Sequence, residues 1–299
     1  MNINAPIEPA TIDVAQVAVQ SRGYWSTVFQ RLRQDKVTLF FASLILLVIL
    51  MALLADIIAP QDPYQASMIK RLKPVGTEGH LLGTDETGRD MLSRLIYGSR
   101  LSLFMGIMPV VIALLIGGTL GIVAGFVGGT VNMIIMRTMD VFYAFPSVLL
   151  AIAISGALGA GIVNAIISLT LVFIPPLARV AESVTTQVRN LDYVDAARAS
   201  GASAPTIIRV HVLSNVLGAI FIYATSLISV SIILASGLSF LGLGTRPPEP
   251  EWGLMLNTLR QAIYVDPLLA ALPGVFIFVT SLSFNLVSDG LRSAMDIKV

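Results

Sequence analysis

Leu101–Met136 reads LSLFMGIMPVVIALLIGGTLGIVAGFVGGTVNMIIM, and no residue in it carries a charge. A helix needs about 20 apolar residues to cross the hydrocarbon core of a bilayer, so this run is too long for one crossing. The glycine cluster Gly125–Phe126–Val127–Gly128–Gly129 divides it, because glycines punctuate helices in such a run. The reading is one crossing over about 101–124 and the start of another near 133.

The same pattern extends outward in both directions. Charge-free runs occur at Val37–Ala55, Val141–Ala178, Val210–Thr245 and Pro267–Ser288. They mark the membrane because a charge at the centre of a span costs about 2.5–3.5 kcal/mol. The glycine-rich stretch from Ser155 to Gly161 divides the run that begins at Val141. Six spans follow, over about 37–58, 101–124, 133–157, 161–180, 215–242 and 268–289. The fold class is an all-α integral membrane protein with six transmembrane helices.

Composition agrees. Of 299 residues, 55% are hydrophobic and 12% charged, with a mean hydropathy of +0.83. Soluble domains carry about 25% charged residues, so this chain lacks the charges to cover two soluble surfaces. Disorder is excluded by the same numbers. A net charge of +1, from 19 basic and 18 acidic residues, leaves no nucleic-acid footprint. The absence of cysteine removes disulfides, thiolate metal ligands and cysteine nucleophiles together.

Arg31, Arg33 and Lys36 precede the first span, and the next basic residue is Lys70. That favours a cytoplasmic N-terminus, and six spans then place the C-terminus in the cytoplasm as well. Residues 1–36 form a cytoplasmic tail, its first 20 residues disordered, and they lack the basic start of a secretory signal. Residues 37–100 hold the first span and an extracytoplasmic loop, 101–291 the core, and 292–299 a cytoplasmic tail. Within the third span, Arg137 and Asp140 lie three residues apart on one helix face, which predicts a structural ion pair near a span end.

The cytoplasmic loop at 181–213 contains Asn190–Leu191–Asp192–Tyr193–Val194–Asp195–Ala196–Ala197–Arg198–Ala199–Ser200–Gly201. Asp192 is placed to cap a short helix, with Asp195 completing a capping box. The alanines favour the helix and Gly201 suits its stop. Physics alone leaves two readings open: a connecting helix on the membrane surface, or a thin helix that enters another protein's groove.

Asp195–Ala196–Ala197, Gly201 and His211–Val212–Leu213–Ser214 resemble the EAA loop of ABC importer permeases, with Asp195 for the usual Glu and Ser214 for the usual Pro. The run from His80 to Arg94 is similar to the outer-loop signature of the second permease subunit of dipeptide, oligopeptide and nickel importers. So are Leu238–Gly244, Pro247–Pro248, Trp252–Gly253 and Asp289–Gly290–Leu291–Arg292. The resemblance implies a type I ABC importer permease fold. It also implies that Asp192, Asp195, Ala196, Ala197, Arg198, Gly201 and His211 dock into an ATP-binding subunit. The implied partners are a homologous permease subunit, two ATP-binding cassette subunits, an extracytoplasmic solute-binding protein and membrane lipid. ATP and Mg would be bound by the partner subunits, and the implied location is the bacterial inner membrane. The implied solutes are di- or oligopeptides; nickel or metal chelates, glutathione and other small solutes are the alternatives.

No Gly-Lys pair occurs, so the chain has no phosphate-binding loop of its own. No nucleophile–base or catalytic carboxylate pair is present, and the reading is a permease without an ATPase site or a cofactor. Asp85, Glu86 and Asp90 form an acidic outer cluster suited to loop solvation and capping, with cation binding as the alternative. His80 and His211 fall on opposite sides of the membrane. Ser226, Ser229 and Ser236 give the fifth span hydroxyls for tight helix packing or for lining a translocation path. Pro109, Pro146, Pro175–Pro176 and Pro273 predict kinks within spans. An ion-coupled secondary transporter is the rival class; such a protein favours acids inside the membrane facing a central site, and apart from Arg137–Asp140 the interiors of the spans lack them.

Overall fold

The Asp35 carboxylate accepts hydrogen bonds from the N–H groups of Val37 (3.0 Å) and Thr38 (3.2 Å), two donors that the first turn of a helix leaves unpaired. It separates helix α1 (Tyr24–Gln34) from the first spanning helix, α2 (Lys36–Leu53). A short continuation, α3 (Ala55–Ile58), carries the chain out of the apolar zone. The computed structural model describes residues 24–295; the tail expected to be disordered, at 1–20, lies outside them. Among the described residues there are no strands, only isolated bridges at Thr77–His80 and Thr84–Asp90.

Helix α4 (Met91–Val127) has 37 residues, about 55 Å at 1.5 Å per residue. It begins ten residues before the expected 101, because Asp90 caps it through the N–H of Ser93 (2.8 Å) and nothing interrupts it before Gly128. Gly117, Gly121 and Gly125 repeat every four residues, so they lie along one face. That face rests on the backbone of α7 (Ile162–Arg189): a Cβ on Gly117 would come within 2.6 Å of the Ile174 carbonyl oxygen. A Cβ on Gly125 would meet the Glu182 carbonyl at 2.6 Å. Without side chains the two backbones approach closely, the usual route to tight packing in lipid.

The third expected span is two helices. α5 (Gly129–Tyr143) and α6 (Ser147–Leu158) meet at 86°. Pro146 has no N–H to continue the ladder and drives the preceding residue out of helical geometry. Among the described residues there are therefore five helices long and apolar enough to cross a membrane and a sixth element broken into a knee.

The fourth helix also runs further than expected. α7 continues past 180 to Arg189, since Glu182 is held by Asn132 Nδ2 (2.7 Å) and no breaker intervenes before Asn190. After α8 (Asp192–Ala199) the chain enters α9 (Ala204–Ile207), a π-helical turn at Ile208–Val212, and α10 (Leu213–Phe240). Ser214, which stands where the family has Pro, lies in the regular helix just after this π-helical turn. A short helix, α11 (Trp252–Thr258), leads to α12 (Pro267–Met295).

Two apolar cores result. One joins α4, α5, α6, α7 and α10 around Leu169, Leu177, Val216 and Ile220. The other joins α2, α4, α11 and α12 around Met91, Leu95, Trp252 and Leu269. Gly290 lets α12 lie against Thr38 of α2, where any Cβ would collide with the threonine side chain.

Candidate functional site

Helix α8 is held on one side and open on the other. Val194 is fully buried, whereas Leu191, Tyr193, Asp192, Asp195, Ala196 and Arg198 are exposed and Ala197 is half-buried. The Tyr193 ring lies 6.0 Å from that of His211, and Asn215 Nδ2 donates to the Tyr193 hydroxyl (3.1 Å). Arg198 pairs with Asp195 (3.1 Å) and stands 5.6 Å over the Phe126 ring at the foot of α4. Gly201, at φ +81°, donates to Arg198 O (2.9 Å) while Ala202 donates to Ala197 O (3.1 Å). These are the paired bonds of a Schellman stop, which needs a left-handed residue at this point. The start of the helix differs from expectation. Leu191 is the cap and no side chain bonds there, so the capping box is not formed. Asp192 and Asp195 instead lie in the first turn, where negative charge is favoured by the helix dipole.

At the knee, Asp140 has a second partner that adjacency in sequence did not reveal. Arg179 of α7 reaches it at 2.5 Å, while Arg137 stays 3.9 Å away and is 82% exposed. The expected Arg137–Asp140 pair is present at 3.9 Å, and Arg179 adds a closer partner because α5 and α7 pack side by side. Arg179 also stacks 4.8 Å over the Tyr143 ring. A cavity of about 420 Å³ opens beside this group between the knee, the Pro175–Pro176 segment and Tyr223 of α10.

The serines of α10 lie elsewhere. Ser226 and Ser229 turn their hydroxyls onto the carbonyls of Tyr223 and Ser226 (2.7 Å each). Ser229 and Ser236 are buried within the chain, and Ser236 abuts Gly253 of α11. Their small size serves helix packing here.

In the loop between the first two spans, the motif from His80 to Arg94 folds into a buried charge knot. Asp85 Oδ2 takes Arg89 Nε (2.6 Å) and lies 3.1 Å from Arg94 Nε, while Asp90 pairs with His80 Nδ1 (3.0 Å). Glu86 bonds Arg89 Nη2 (3.0 Å), and Arg94 Nη1 donates to the carbonyls of Pro63 (3.0 Å) and Pro248 (3.2 Å). The acidic cluster is thereby committed to arginines, a histidine and backbone N–H groups.

Glu251 is the functional-looking residue that sequence reasoning missed. Its carboxylate is buried, accepts from the N–H groups of Gly253 and Leu254 (2.8 Å each), and lies 3.3 Å from the Ser102 hydroxyl. Neighbouring Trp252 donates from Nε1 to Leu95 O (3.0 Å). The pair thus pins α11 onto α4. Glu-Trp-Gly directly before an apolar run was the available signal. Burial pushes the Glu251 carboxyl above its ordinary value, against the pull of the two N–H groups. The folded chain keeps this proton to higher pH than the unfolded one, so the associated stability is present at low pH and falls as pH rises through the raised value. Glu251→Ala strands two buried N–H donors and is expected to cost about 1–3 kcal/mol, read as a lowered thermal unfolding midpoint in detergent.

Comparison with known proteins places this architecture. Residues 117–299 match the family described as binding-protein-dependent transport system inner membrane component, and residues 23–74 match the N-terminal TM domain of oligopeptide transport permease C. A glutathione transport system permease protein of Pectobacterium atrosepticum is 39% identical over 92% of this chain and 91% of its own length. A dipeptide transport system permease protein of Alkalihalophilus pseudofirmus is 38% identical over 92% and 90%. A di/tripeptide transport system permease protein of Pseudomonas aeruginosa is 42% identical over 85% and 86%. Among solved structures, an inward-facing form of the MetNI methionine ABC transporter covers 68% of this chain and 97% of its own, with a TM-score of 0.57 at 18% identity, a likeness of fold. Five helices long enough to span and a knee among the described residues, a short helix between the fourth and fifth spans, and these matches together make the chain a member of the family of inner membrane permease components of binding-protein-dependent ABC transport systems.

Proposed function

We propose that this chain is one half of the translocation pathway of an ATP-driven importer for di- or oligopeptides. In that reading it sits in the bacterial cytoplasmic membrane with both termini inside. It pairs with a homologous permease, and two ATP-binding cassette subunits drive the pair. A solute-binding protein delivers peptide from outside. ATP hydrolysis belongs to the partner subunits.

The observation that carries the coupling is the mounting of α8. Its buried Val194 and its ring contact to His211 tie it to the foot of α10, and Arg198 ties it to Phe126 of α4. Its exposed side presents Leu191, Tyr193, Asp192 and Asp195. A push on that side moves two spanning helices together. Deleting Asp195–Gly201 in the whole complex is expected to abolish uptake of labelled dialanine into vesicles. Leu191→Asp, which leaves the helix intact, is expected to lower uptake at least about tenfold, equivalent to about 1.4 kcal/mol of lost docking. Full uptake with either variant in an assembled complex overturns the reading.

Glutathione is the second solute reading, favoured by the name of the Pectobacterium relative. Competition between dialanine and glutathione for uptake by the same vesicles decides between them.

A further inference from the structure

The knee between α5 and α6 carries more charge than a packing element needs. Asp140 serves two guanidiniums, Arg179 at 2.5 Å and Arg137 at 3.9 Å. The three groups sum to one positive charge. Arg137 is 82% exposed and Arg179 46% exposed at its side chain. Arg179 lies ten residues before the end of α7, about 15 Å along the helix axis. A cavity of about 420 Å³ adjoins it, lined by Tyr143, Phe145, Val172, Pro176, Tyr223 and Leu227. That is room for a small solute, with largely apolar walls, and the Arg179 guanidinium stacks 4.8 Å over the Tyr143 ring that lines it.

We propose that this cavity is a contact station for the translocated solute, and that Arg137 and Arg179 take the solute's carboxylate in exchange for Asp140. The planar fork of arginine suits a carboxylate in paired hydrogen bonds. Asp140 acts as the resident stand-in: it keeps Arg179 oriented and neutralised while the station is empty, and yields when another carboxylate arrives. A partly exposed ion pair is weak enough to be displaced, so the solute is held long enough to pass and is not trapped. The aromatic walls accept side chains of varied shape, which fits a pathway for peptides of mixed sequence. The assignment rests on the peptide reading above for the identity of the solute, but not for the chemistry of the site.

The test uses the whole importer in nanodiscs, with its partner subunits and without the solute-binding protein. Phenylglyoxal modifies water-accessible guanidiniums, and mass spectrometry reads each arginine separately. Arg137 and Arg179 are expected to react. Millimolar dialanine is expected to slow both at least about twofold, while dialanine amide, which lacks the carboxylate, leaves them unchanged. Exposed Arg71 of the outer loop serves as the unaffected reference. Asp140→Asn removes the competitor, so the dialanine concentration giving half protection is expected to fall about two- to fivefold, the range an exposed ion pair allows. The proposal is overturned if neither arginine reacts, if acid and amide protect equally, or if Asp140→Asn raises the half-protecting concentration. Uptake of dialanine by the wild-type importer with its binding protein is measured in parallel. Protection without uptake defeats the peptide reading and keeps the site; uptake without protection does the reverse.

Discussion

Gly121→Leu is expected to remove assembled protein from the membrane almost completely. A Cβ on Gly121 falls on the carbonyl oxygen of Ala178, with the Ala181 side chain 2.6 Å away and the Glu182 nitrogen at 2.9 Å. Two of these three atoms are backbone, which no change of rotamer can move. Overpacking ordinarily costs about 1–3 kcal/mol when side chains give way; here α4 must leave α7, and the cost is expected to exceed about 3 kcal/mol. The loss propagates because α4 and α7 carry the apolar core on which α5, α6 and α10 rest. Gly156→Ala in α6 is the control, since nothing lies within 4 Å of its added methyl group. Replacing a helical glycine of this kind is expected to be neutral or to stabilise by about 0.5–1 kcal/mol. Membrane-inserted yield and the thermal midpoint in detergent measure both variants.

Asp85→Ala is expected to be the next most damaging change. Asp85 Oδ1 accepts from the N–H groups of Thr87 (2.8 Å) and Arg89 (3.0 Å), and Oδ2 faces the side chains of both Arg89 and Arg94. Both arginines are buried. Removing one partner of a buried pair leaves an uncompensated charge and costs about 3–5 kcal/mol, a large share of the roughly 5–15 kcal/mol that holds a typical protein together. Arg94 also ties the outer loop at Pro63 to the segment at Pro248, so the loss reaches the seat of α11. Asp85→Asn keeps the N–H contacts on Oδ1 and is expected to fall between alanine and wild type. Thermal unfolding of the purified chain orders the three. Equal stability of alanine and wild type would show the knot to be idle.

How much was legible beforehand differs element by element. The spans were legible because each is a continuous apolar run, and the cost of placing charge in lipid acts on every residue of that run without reference to the rest of the fold. The helix now seen at Asp192–Ala199 was legible too, since three alanines and a left-handed glycine stop are local features. Its capping was misread because Asp192 and Leu191 differ by one position, and backbone geometry alone decides which residue sits at the cap.

The knee was half legible. Pro146 announced a kink, but an 86° turn also requires α6 to find its place on α7, a contact between segments. Gly125 was read only as punctuation, and Gly117 and Gly121 were not singled out. Their spacing of four marks a packing face, and the partner that gives it meaning, at Ile174, Ala178 and Glu182, lies more than fifty residues away. Separations of 39 and 149 residues likewise hid Arg179 from Asp140 and Glu251 from Ser102.

By itself, then, the sequence determined that this protein crosses the membrane, about where it does so, and that a short alanine-rich helix interrupts the crossings on one side. Hydrophobic transfer and backbone propensity act locally and are written into neighbouring residues. Only the tertiary structure decided which glycine meets which carbonyl, which arginine answers Asp140, and that the acidic outer motif closes on its own arginines. Those outcomes are pairings between groups far apart in the chain, and their energies exist only once packing has brought the partners within a few ångströms.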